Sequence, residues 1–277
     1  MLQRILTGAV ALIVFIPVLF LSSTIVFNVV IGLLSFVGVY EMLRCTGHLS
    51  HWFLSVPALM YSIAGPLLAR TRFSTSYGLL FSITLVFMFL LLFVHVFESE
   101  RINTSDISTV FMTTVYITVA FTSIIKLRDV SGIGGYIYLY IVIGAWVTDT
   151  FAYFCGRFFG KHKLIPKVSP KKTVEGAIGG VIFCALAYVL YSLILEKSYG
   201  LAPNYLQIFL IGAVISVVSQ LGDLAASAIK RNYGIKDFGS LFPGHGGVLD
   251  RFDSILAVTP VLFMLIGNTG VINIFNQ

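Results

Sequence analysis

A chain of 277 residues in which 57% are hydrophobic and only 11% charged, with a mean hydropathy of +0.95, would not stay dissolved in water. The net charge of +6 does not point to nucleic acid, because basic residues in so apolar a chain serve as topological signals or contacts to anionic headgroups. Cys45, Cys155 and Cys184 are an odd number without CxxC spacing, which indicates neither a disulfide framework nor a zinc site.

The apolar residues fall in runs near the roughly 20 residues that a helix needs to cross a bilayer. Nine spans are predicted, at about 5–22, 25–43, 52–69, 77–97, 107–125, 136–155, 176–195, 206–226 and 255–274. The fold class is therefore all-α, a polytopic transmembrane bundle, since the runs are too long and uniform for the alternating strands of a membrane barrel. The first run follows only Arg4 and has no small-residue cleavage site behind it, so it reads as a retained span. Residues 1–135 form an N-terminal helical part. Residues 136–277 form a C-terminal helical part with polar segments at 156–175 and 227–253, where any catalytic chemistry is expected.

Lys and Arg fix an expected orientation, because positively charged loops stay in the cytoplasm. With the N-terminus inside, that side carries Arg4, Arg44 and Arg101, then Arg157, Lys161, Lys163, Lys167, Lys171 and Lys172, then Lys230, Arg231, Lys236 and Arg251. Only Arg70, Arg72, Lys126, Arg128 and Lys197 fall opposite. The N-terminus is thus expected in the cytoplasm and the C-terminus outside, with both polar segments on the side where nucleotides are available.

Along the sixth run the chain reads DTFAYFCGRFFGKHKLIPKVSPKKTVEG from Asp149 to Gly176. An acidic residue inside an apolar run costs about 2.5–3.5 kcal/mol on insertion scales, so Asp149 faces protein or water, with Tyr153 one turn along the same face. Pairing with a base to join helices is the other reading of that carboxylate. Gly156, Gly160 and Lys161 do not make a P-loop, because the glycine spacing is one short and His162 stands where Ser or Thr would reach magnesium. Ser169, Thr173 and Glu175 suit helix caps, while Ser169, Lys171, Lys172 and Thr173 also suit the phosphates of a nucleotide; the two lysines equally suit anionic headgroups.

In the eighth run Ser216, Gln220, Asp223, Ser227 and Lys230 recur at spacings of four, three, four and three, one polar stripe on an apolar helix. Such a stripe faces a wet cavity or polar partners, and Asp223 is its one anion. A packing seam between helices is the alternative. The segment SAIKRNYGIKDFGSLFPGHGGVLDRFD follows, from Ser227 to Asp253. Gly244, Gly246 and Gly247 around His245 permit close approach to phosphate, and Asp250 and Asp253 share a helical face if the ninth span begins this early. Paired carboxylates among bases suit a divalent cation held on a triphosphate.

Ser227, Lys230-Arg231, Lys236-Asp237, Pro243, His245-Gly246-Gly247, Asp250-Arg251 and Asp253 together resemble the signature of the phosphatidate cytidylyltransferases, also called CDP-diacylglycerol synthases. DTFAYFCGR and SPKKTVEG are similar to that family as well, so the resemblance is carried by residues 140–255. It implies Mg2+-dependent transfer of a cytidylyl group from CTP to phosphatidic acid, with pyrophosphate released, in a bacterial-type inner membrane. A homodimer comes with the same resemblance, while one or two metal ions remain open alternatives. Carried onto this chain, it makes Asp223, Asp250, Lys230 and Arg251 catalytic candidates and Asp149, Asp223, Asp250 and Asp253 metal candidates. Ser169, Lys171, Lys172, Thr173, Ser227, Arg231, Lys236, His245, Gly246 and Gly247 become substrate-binding candidates. A CTP-dependent polyprenol or lipid kinase is the rival enzyme, needing a base to deprotonate its alcohol, and a membrane transporter is the rival class.

Overall fold

Long apolar runs in lipid must satisfy every backbone N–H and C=O internally, and helices do so within one segment. The computed structural model accordingly is mainly helical; it describes residues 17–71, 78–130, 132–242, 244, 246–266 and 274–276. Its helices are α1 (Ile25–Cys45), α2 (Trp52–Leu68), α3 (Gly78–Phe97), α4 (Thr104–Arg128), the short α5 (Gly134–Ile137), α6 (Leu139–Phe159), α7 (Val174–Tyr199), α8 (Tyr205–Asn232) and α9 (Leu249–Ile266). Among the described residues six stretches are long and apolar enough to cross a membrane: α1, α3, α4, α5 with α6 (Gly134–Phe159), α7 and α8. The chain is an integral membrane protein.

The difference from nine spans has local causes. Most of the run at 5–22 lies outside the described residues. The run at 52–69 forms α2, a shorter apolar helix of 17 residues. The run at 255–274 forms α9, which starts at Leu249 and so takes Asp250, Arg251 and Asp253 into its first turns, and residues 267–273 are not described. Likewise α8 continues to Asn232, which places Ser227, Lys230 and Arg231 on the helix and not in the expected loop. Segment 156–175 is not an open loop either, because β1 (Lys163–Ile165) and β2 (Ser169–Thr173) pair antiparallel, Lys163 opposite Thr173 and Ile165 opposite Ser169. A second two-stranded pair joins β3 (Ala202–Pro203) to β4 (Phe275–Asn276).

The chain divides into two compact units, residues 1–125 with 232–252, and residues 126–231 with 253–277. In the first, α1 and α2 are tied at their far ends by Arg70, whose guanidinium donates to the carbonyls of Ser22 and Thr24 at 2.6 Å. Tyr61 stacks on Phe87 with ring centroids 4.7 Å apart, joining α2 to α3. At the start of α4, Asn103 and Asp106 exchange backbone-to-side-chain bonds of 2.8 and 3.0 Å, a reciprocal cap that satisfies two otherwise unpaired amides.

In the second unit α6 and α7 pack along most of their lengths. Buried tyrosines link them: Tyr188 donates to the Tyr140 carbonyl at 2.7 Å, and the Tyr140 hydroxyl meets Ser192 Oγ at 2.5 Å. Polar tips on apolar rings suit this setting, since each hydroxyl needs a partner where water is excluded. Thr173 caps α7, its Oγ1 accepting from the Gly176 amide at 3.2 Å. Thr173→Ala should destabilise the protein by about 1 kcal/mol, the usual cost of a lost cap, with KM for nucleotide unchanged. Thermal unfolding beside a CTP titration checks this, and a raised KM would instead mark a direct substrate contact.

Candidate active site

The stripe on α8 divides into two halves with different work. Ser216 accepts from Thr148 Oγ1 at 2.9 Å, and Gln220 Nε2 donates to the Ala177 carbonyl at 3.2 Å, so this half joins α8 to α6 and α7. The other half opens a charged cluster. Asp223 Oδ2 lies 2.5 Å from the Lys172 ammonium, each side chain about 27% exposed, and Asp223 Oδ1 accepts from Ser227 Oγ at 3.4 Å.

Lys172 arrives there because of strand geometry. Successive side chains on a strand point to opposite faces, so the adjacent Lys171 and Lys172 cannot share one direction. Lys171 is exposed, while Lys172 is half-buried against Asp223. The hairpin itself is held by Glu175 in the first turn of α7, whose carboxylate accepts from the backbone amides of Lys161 and His162 and meets His162 Nδ1 at 2.6 Å. His162 thus has a structural partner.

Asp223 acts through space on two further carboxylates, Asp149 from α6 and Asp253 from α9, with Lys172 opposing it at Asp149 and Lys230 at Asp253. Asp149 Oδ2 accepts from Ser254 Oγ at 3.4 Å and remains accessible, and Asp253 Oδ1 accepts the Ser254 amide at 2.8 Å. Lys230 is 9% exposed, unusually buried for a lysine, which fits a side chain held among carboxylates. Helices α8 and α9 come close at Gly222, where a Cβ would strike Ala257 and lie 3.0 Å from the Asp253 carbonyl. The second unit therefore brings together Asp149, Lys172, Asp223, Ser227, Lys230 and Asp253, three carboxylates against two lysines.

Asp250 has another occupation in the first unit. Its Oδ2 accepts the amides of Phe238 at 2.8 Å and Gly247 at 2.9 Å, bracing the turn before α9. Gly246 has φ +86°, a conformation that a side chain would strain, and the Phe242 amide donates to its carbonyl at 2.9 Å. Arg231, Lys236 and Arg251 are exposed, Ser169 is half-buried on the hairpin, and His245 and Pro243 lie outside the described residues. The sequence reading passed over Glu41 and Ser254. Glu41 had a signal of its own, a carboxylate within an apolar run, the same anomaly that singled out Asp149.

Oxygen donors alone fit a hard cation such as Mg2+. Among the described residues no three His, Cys, Asp or Glu side chains close into a ready ligand set. That is compatible with magnesium, which takes one or two carboxylates and completes its shell with water and phosphate oxygens.

The sequence profile of the cytidylyltransferase family matches residues 2–268, nearly the whole chain. The chain belongs to the cytidylyltransferase family. It is 33% identical over 277 residues to the phosphatidate cytidylyltransferase of Bacillus subtilis, covering 96% of this chain and 97% of the relative. It is 36% identical over 265 residues to the phosphatidate cytidylyltransferase of Staphylococcus saprophyticus, covering 95% and 98%. The Staphylococcus aureus (strain COL) relative of the same name is 34% identical over 267 residues, covering 95% and 98%. As a family member the chain is an enzyme of the nucleotidyltransferase class, and the match runs through the N-terminal helices as well as residues 140–255.

Proposed function

We propose that this enzyme transfers the cytidylyl group of CTP to phosphatidic acid, giving CDP-diacylglycerol and pyrophosphate. The observation that carries the reading is the full-length likeness to phosphatidate cytidylyltransferases, joined to a cluster in which three carboxylates and two lysines from four elements meet. A phosphate oxygen of the lipid attacks the α-phosphorus of CTP in line with the bond to the bridging oxygen of the β-phosphate. That bond breaks, and its electrons leave with pyrophosphate.

One or two of Asp149, Asp223 and Asp253 would hold Mg2+, which would supply Lewis-acid stabilisation of charge gathering on the phosphates. Lys172 is placed to exchange its carboxylate partner for a phosphate oxygen, and Lys230 to neutralise charge beside it. No protein nucleophile is required, because the lipid phosphate already carries an attacking oxygen. The bias of Lys and Arg supports an N-terminus in the cytoplasm, with the hairpin and the turn before α9 on that face of a bacterial-type inner membrane. A homodimer and a second metal ion belong to the same proposal.

Purified protein in detergent, given CTP and Mg2+, should release pyrophosphate only when phosphatidic acid is present. Phosphorylation of a polyprenol, without pyrophosphate, would replace this reading by the lipid kinase. Release without any membrane gradient excludes transport as the whole function.

A further inference from the structure

The first unit contains a buried carboxylate that the chemistry proposed above does not use. Glu41 sits near the end of α1, in the run VGVYEMLRC, and is 4% exposed. Burying a carboxylate is costly unless its oxygens are hydrogen-bonded, so its partners show what it is for. Both oxygens are engaged, Oε1 by the Val248 amide at 3.0 Å and Oε2 by the Leu249 amide at 2.9 Å. These are the cap and first residue of α9, where amides have no partner within the helix and the positive end of the helix dipole favours an anion.

The loop has given up side chains to admit this carboxylate. A Cβ on Gly239 or on Gly247 would fall on Oε1 of Glu41. Asp250 Oδ2 meanwhile accepts the amides of Phe238 and Gly247. Two carboxylates thus grip Phe238 and residues 247–249, Asp250 from α9 and Glu41 from a helix 207 positions away in sequence. Charged acceptors make shorter and stronger bonds than neutral ones, so the grip fixes where the backbone of this glycine-containing turn lies.

We propose that Glu41 is a positioning residue for catalysis: it sets residues 238–239 and 246–249, and with them the first turn of α9, in the geometry that the nucleotide requires. This rests on the reading of the chain as a CTP-using enzyme. It assigns Glu41 no contact with substrate or metal.

The test compares wild type with Glu41→Gln and Glu41→Ala, purified in the same detergent. Amide hydrogen exchange at 247–249 reads the grip without any catalysis, and initial rates with varied CTP separate KM from kcat. Glu41→Ala should lose protection at 247–249 while the helices of the second unit keep theirs, and KM for CTP should rise about tenfold or more. Glu41→Gln, which offers one acceptor oxygen and places an NH2 against the other amide, should fall between. If Glu41→Ala does not fold, Gly239→Ala, whose Cβ would fall on Glu41 Oε1, strains the same contact from the loop side and should reproduce the local exchange and the raised KM.

Unchanged protection at 247–249 overturns the proposal. So does a variant that loses stability throughout while its folded fraction keeps the wild-type KM, the behaviour of a purely structural residue. A wild-type protein that shows the protected amides yet does not use CTP would instead overturn the reaction assigned above and leave the grip standing.

Discussion

Replacing Asp223 by Asn leaves a folded membrane protein whose kcat for pyrophosphate release falls by about 10^3-fold or more, the loss expected when several kcal/mol of charge stabilisation at the phosphates is removed. The substitution is nearly isosteric, and the helix-joining half of the stripe, Ser216 and Gln220, is untouched. Its local effect is to leave Lys172 without its carboxylate, while Asp149 and Asp253 lose the negative charge that acts on both. Lys172→Met removes the other member of the pair, and the double variant should be little worse than Asp223→Asn alone, since groups that act as a unit are not additive. Single-turnover rates with CTP and phosphatidic acid, beside thermal unfolding of each variant, check this. An Asp223→Asn protein with near-wild-type turnover would remove the carboxylate cluster from the mechanism.

The second large effect is expected at Gly222, where bulk alone is the perturbation. Gly222→Val places branched carbons against Ala257 and beside the Asp253 carbonyl, in a contact with no spare room. Overpacking of this kind costs about 1–3 kcal/mol, and relief comes only by moving α8 away from α9. The two carboxylates on these helices, Asp223 and Asp253, then separate. Activity should therefore fall further than stability does, by about 10^2-fold at a temperature where the variant is still folded, because misplacement of about 1 Å can have that effect. Gly222→Ala should lie between. Turnover that follows only the folded fraction would show that the spacing of α8 and α9 is unimportant to the reaction.

The helices could be read from the sequence because their cause is local: in lipid, a run of apolar residues has few other ways to satisfy its backbone. Asp149 and Asp223 could be read for a related reason, since a charge within such a run needs a partner, and Lys230 because it continues the stripe of Asp223 at helical spacing. The hairpin at 163–173 was missed because its strands have three and five residues, too few for an alternating pattern to stand out among the lysines. Missing the hairpin hid the difference between Lys171 and Lys172, which depends on strand alternation. The end of α8 was placed too early, at about residue 226, because hydropathy ends where Ser227, Lys230 and Arg231 begin, whereas the helix continues to Asn232. Periodicity groups residues by face but does not say what lies opposite, so Ser216 and Gln220 looked like members of one polar site with Asp223. Asp250 shows the same limit: its spacing from Asp253 suggested a shared ligand set, while its Oδ2 accepts two loop amides.

The grip of Glu41 on the start of α9 also imposes an order on biogenesis. At about 5–20 residues per second, a ribosome needs roughly 10–40 s to add the 207 residues between Glu41 and Val248. Through that interval α1 carries a carboxylate whose amide partners have not been synthesised. The nascent first unit must keep it hydrated or paired elsewhere until α9 arrives. A chain stopped before Val248 is left with a carboxylate on α1 that lacks both of these amide partners.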